Sequence, residues 1–178
     1  MDPVVLFERS AARAAELART VGDDQRSLPT PCSEWDVAAL LEHMAGGMSY
    51  LHGALGTHDP EAAVWPDQAA VVACVDELRR PGALEGRCMS PAGFEWSVAE
   101  AAAGTAMDQL VHTWDLAVAL DADRTLDPEL TEAIAAMFLP AMPELGRRAG
   151  FVGPEVTVSD GASDQDRLLG AMGRDPSR

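Results

Sequence analysis

Apolar residues recur at helical spacing along most of the chain. From Pro3 to about residue 20, Phe7, Ala11, Ala14 and Ala18 fall on one stripe, and Pro3 suits a first turn. A Gly- and Pro-bearing loop, "GDDQRSLPTPC", follows. Asp36 is a good N-cap for a helix to about Leu55, in which Val37, Leu40, Leu41, Met44, Met48 and Leu51 keep the period. After the loop "GTHDPEAAVWP", Asp67 caps a helix that must stop before Pro81-Gly82. Residues 83–96 read as irregular, with an extended piece at Arg87–Met89. Ser97 and Glu100 form a capping box for a long helix to about Leu120. Asp127-Pro128-Glu129 starts a helix to about Arg148, which Pro140 and Pro143 should kink or split. Residues 150–164 predict an extended segment in which only Val156–Val158 alternate with period two, and "DQDRLLGAMG" predicts a short last helix. The expected fold is all-α: a four-helix bundle with short extra helices and an extended C-terminal segment, one domain over residues 1–178.

Two of these helices begin alike. "EWDVA" at Glu34 is echoed by "EWSVA" at Glu95. His43 stands seven residues after the cap Asp36; Asp108 and His112 stand eleven and fifteen after the cap Ser97. Steps of four keep all three side chains within about 80° of azimuth relative to their caps. If both helices turn that face to the bundle axis, two imidazoles and a carboxylate converge. Such a set suits a divalent metal, zinc first, with nickel, iron or manganese tolerated. A metal-free histidine bonded to Asp108 explains the same spacing, and both readings stand at this level. His52 falls on the opposite helix face and is expected to be exposed, and His58 sits in a loop; neither is expected to ligate. Trp35 and Trp96 precede their caps, where hydrophobic staples belong.

Charge and composition narrow the partners. The net charge is -16, and the 13 basic residues, all arginine, form no cluster, which argues against nucleic acid and anionic membranes. With 47% hydrophobic residues, disorder is not the default. No apolar run reaches the ~18 residues of a membrane span, and no signal peptide is legible, so a cytoplasmic location is expected. Cys32, Cys74 and Cys88 are too few and too scattered for a disulfide framework. Cys32 reads first as a buried structural thiol, with a redox or nucleophilic thiol near a helix N-terminus as the alternative.

The stretches "PTPCSEWDVAALLEHMAGG", "DQLVHTWDLAVAL" and "GFVGPEV…DRLLGAMGRDP" resemble the DinB/YfiT-like superfamily, in the branch of the mycothiol-dependent maleylpyruvate isomerase N-terminal domain. The resemblance implies a four-helix bundle holding a divalent metal, usually zinc. It carries the metal ligands onto His43, Asp108 and His112, with glutamate more usual in the branch where Asp108 stands. Asp115, in the same His-x-Trp-Asp motif, is a candidate acceptor for a ligand histidine's second nitrogen. Related enzymes use a low-molecular-weight thiol, which implies here a metal-dependent thiol transferase or isomerase acting on a small electrophile, with a mycothiol-like cosubstrate; the lysine-free, alanine-rich composition fits an actinobacterial source, where mycothiol is the expected thiol. The isomerase carries a further C-terminal domain for which 178 residues leave no room, so maleylpyruvate isomerisation itself is not expected. The other reading is a non-catalytic bundle that binds metal, a small molecule or a partner, or acts as a dimeric scaffold. A homodimer is expected under either.

Overall fold

The computed structural model describes residues 1–57 and 64–178. It forms two compact units, Met1–Arg124 and Thr125–Arg178.

The first unit is a four-helix bundle, and its helices start where capping side chains meet apolar periods. Helix α1 (Pro3–Ala18) is capped by Asp2, whose carboxylate accepts from the Val4 and Val5 amides. Leu6, Phe7, Ala11, Ala14 and Ala15 on its inner stripe are fully buried. Helix α2 (Val37–Leu55) is capped by Asp36 and closed by Gly56 in the left-handed region at φ 69°. Helix α3 (Gln68–Leu78) is capped by Asp67. Helix α4 (Val98–Ala119) opens on the Ser97–Glu100 capping box, in which the carboxylate accepts from the Ser97 amide and hydroxyl and the Ser97 oxygen accepts from the Glu100 amide. Those bonds hold Glu100 below the usual carboxylate range.

The helices pack in a ring: α1 against α4 and α3, and α2 against the same two. Helix α4 is the centre of this unit. It is buried on nearly every side. Alanines at 101, 102, 103 and 106 let its neighbours approach closely.

A short hairpin leads into α4. The extended piece at Arg87–Met89 is strand β1, and it pairs antiparallel with β2 (Glu95–Ser97), a strand that the irregular reading of 83–96 did not contain. The hairpin lays Trp96 against Gly104, where an added Cβ would lie 2.7 Å from the indole ring. The Trp96 indole N–H donates to the Tyr50 hydroxyl at 2.7 Å. Tyr50 in turn donates to the Met89 carbonyl at 2.8 Å, so α2, the hairpin and α4 are tied together. Burial, and then contact with Cys88, pushes the Tyr50 phenol up to about 12 against the opposing pull of Trp96.

The second unit holds α5 (Pro128–Phe138), α6 (Met142–Ala149) and α7 (Asp164–Ala171). The helix expected over 127–148 is split: Pro140 lies between the two pieces, and Pro143 sits in the first turn of α6, where its missing N–H costs nothing. Val156–Val158 are extended but form no ladder; the Val156 amide donates to the Gly170 carbonyl instead. Among the described residues, no helix is long and apolar enough to cross a membrane.

Candidate metal centre

The two cap-led helices α2 and α4 pack against each other, and their polar residues meet at the seam. Asp108 Oδ1 lies 3.1 Å from His43 Nε2 and 3.3 Å from His112 Nε2. All three donor atoms fall within 4.8 Å of one another. Zinc bound tetrahedrally to nitrogen and oxygen spaces its ligand atoms ~3.3 Å apart. The donor set therefore fits such an ion in chemistry, and Asp108 stands at that spacing from each imidazole. The aspartate, a methylene shorter than glutamate, reaches both imidazoles.

Exposure falls across the cluster. The His43 side chain is 38% exposed, Asp108 31%, His112 8% and Asp115 0%. His43 is thus not an inward core residue; it forms the solvent side of the site. Gly47, one turn further along α2, leaves ordinary van der Waals room beside Asp108 Oδ2.

Asp115 lies on the far side of the His112 ring, with Oδ2 2.9 Å from Nδ1. An ionised carboxylate only accepts, so Nδ1 carries the proton and Nε2 is the nitrogen turned to His43 and Asp108. Burial disfavours the charged ring, but the Asp108 charge and the bonds to Asp108, Asp115 and Cys32 overcome it, and His112 is raised well above its ordinary value. Burial likewise pushes Asp108 up, and His112 followed by the His43 bond outweighs it, leaving the carboxyl well below its usual range. With no metal bound, the Asp108 and Asp115 side chains on either side of the ring favour a protonated His112.

Two residues at this centre were read differently from sequence. Trp35 is not only a staple: its ring sits 4.6 Å from the His43 ring and 5.7 Å from the His112 ring. Cys32 is half-buried, with Sγ 3.3 Å from Asp115 Oδ2. Together with His112 and Asp115 it forms a second set of potential donors, also within 4.8 Å. The signal for both was the "PCSEW" stretch, but helical periodicity does not reach into the loop before a cap. His52 stays outside the cluster; it is half-buried, and its Nδ1 faces the Thr57 hydroxyl at 3.4 Å. His58 lies outside the described residues.

Residues 7–88 match the mycothiol maleylpyruvate isomerase N-terminal domain family. An uncharacterised protein of Mycobacterium tuberculosis, present in two strains, is 34% identical over 143 residues, covering 76% of this chain and 78% of the relative. The chain belongs to this family. The family is part of the DinB/YfiT-like superfamily. The family match includes Cys32, Trp35 and His43, and ends before Asp108, His112 and Asp115. No solved structure matches the chain significantly.

Proposed function

We propose that this family member is a metal-dependent enzyme that uses a low-molecular-weight thiol of the mycothiol type for S-transfer or isomerisation on a small electrophile. The observation that carries this reading is the meeting of His43 Nε2, Asp108 Oδ1 and His112 Nε2 at the α2–α4 seam. These three residues would hold a divalent ion, zinc first, with nickel, iron or manganese as alternatives. Three protein ligands leave a position open, and an ion bound there supplies a Lewis acid that favours the deprotonated form of a thiol.

The chain's own groups do the rest. Asp115 accepts the Nδ1 proton of His112 and so keeps Nε2 available. Asp108 contributes the negative charge that offsets a cation in a partly buried place. Trp35 packs against the His43 and His112 rings on one side. The 38% exposure of His43 gives small molecules an approach.

Metal analysis of protein purified without chelator, followed by calorimetric titration with mycothiol, tests the proposal. About one equivalent of zinc and metal-dependent thiol binding are expected. Less than a tenth of an equivalent after equilibration with zinc rejects it.

A second reading has an observation of its own. Asp108 already bridges both imidazoles by direct contacts, so the cluster is satisfied with no metal. A non-catalytic bundle that binds a small molecule or serves as a dimeric scaffold then takes over, and the zinc measurement separates the two.

A further inference from the structure

Cys32 belongs to neither helix of the metal centre, yet its thiol reaches it. The Thr30 hydroxyl donates to the Trp35 carbonyl at 2.8 Å, the Cys32 amide donates to the Thr30 oxygen at 3.1 Å, and the Trp35 amide donates to the Cys32 carbonyl at 2.9 Å. An isolated bridge between Pro29 and Asp36 closes the base of this turn. The turn is thereby pre-shaped, with Trp35 over His43 at one end and the Cys32 thiol beside Asp115 at the other.

Cys32 Sγ and His112 Nδ1 converge on the same oxygen, Asp115 Oδ2, at 3.3 and 2.9 Å. Asp115 is fully buried, so bulk solvent does not reach that oxygen. A carboxylate confined in this way is oriented by the donors that reach it, and its orientation sets the plane of the imidazole.

We propose that Cys32 is a positioning residue: its S–H donates to Asp115 and, through that carboxylate and its own contact with the imidazole, holds the His112 ring with Nε2 turned to the metal centre. The distances favour this over a second ion shared by Cys32, Asp115 and His112. An intervening zinc would hold nitrogen and oxygen ~3.3 Å apart and sulfur and oxygen ~3.5 Å apart. The 2.9 Å between Nδ1 and Oδ2 is a direct hydrogen-bond contact.

The inference rests on the metal reading for its consequence, but its first test needs no metal. Long-range proton–nitrogen correlation spectra of the metal-free protein report the two His112 nitrogens. Cys32→Ala should shift the Nδ1 signal, and Cys32→Ser, whose hydroxyl donates to the same oxygen, should restore it. The second test is zinc affinity by chelator competition. Loss of the main partner of a ligand histidine costs 10–100-fold, so loss of the thiol that holds that partner in place should cost about 3- to 10-fold in Cys32→Ala and less than about twofold in Cys32→Ser. If Cys32→Ala does not fold, Cys32→Val supplies a non-donor of similar size.

An unchanged His112 signal in the non-donor variant overturns the proposal, and so does a loss that serine fails to restore. Two equivalents of zinc in the parent and one in Cys32→Ala would make Cys32 a ligand and overturn it as well. A parent that binds no zinc would instead sink the metal reading, leaving the His112 spectra to decide the role of Cys32.

Discussion

Asp108 and His112 meet across one turn of α4, with Oδ1 3.3 Å from Nε2. That contact puts a proton where a metal ion would sit, and stability and metal binding therefore respond to pH in opposite ways. Asp108 is lowered, so its stabilisation is present above its unfolded value of about 3.9 and is lost as pH falls through its folded value. His112 is raised, so its stabilisation is present below its unfolded value of about 6.5 and is lost as pH rises through its folded value. The metal-free protein should be most stable between those two unfolded values. Zinc must displace the Nε2 proton, so it should raise the melting temperature more at pH ~8 than at pH ~5.5. Scanning calorimetry with and without zinc at both pH values checks this. An equal zinc-induced shift would remove His112 from the ligand set.

His112→Ala removes the ring that Asp108 and Asp115 face from either side, the latter fully buried. Breaking a buried ion pair by removing one partner costs about 3–5 kcal/mol. Zinc content and urea stability should fall together. Retained zinc at parental content would assign the site elsewhere.

The aspartate already spans both imidazoles, so lengthening it has little to repair. Asp108→Glu should change zinc affinity by less than about threefold, whereas Asp108→Asn, of the same shape without the charge, should lose about tenfold or more. Chelator competition on the two variants measures it. Equal affinity in Asp108→Asn and the parent would show that the carboxylate is not a ligand.

The three cysteines should separate by reactivity. Cys74 is fully buried in α3, and burial followed by the nearby Glu77 charge pushes its thiol up to about 12. Cys32 and Cys88 are half-buried. Ellman's reagent should titrate two thiols in the native protein and the third only on unfolding, with Cys74→Ala abolishing the slow one.

Much of the helical frame was legible in the chain because its causes are short-range. Asp36, Asp67, Ser97 and Asp127 cap helices through bonds two or three residues away, and Pro140 and Pro143 act on their own backbone. The count from cap to His43 and from cap to Asp108 and His112 then set which way those side chains leave their helices. Tertiary structure decided what lies on the other side of the rings. Cys32 and Asp115 are 83 positions apart, and only the packing of the α2 entry turn on α4 brings them together. Which imidazole nitrogen faces which carboxylate, the exposure of His43 against the burial of Asp115, and the place of Trp35 over two histidines depend on helix crossing and rotamers. Periodicity is silent on these, because it records the direction of a side chain from its own backbone and not what another segment places against it.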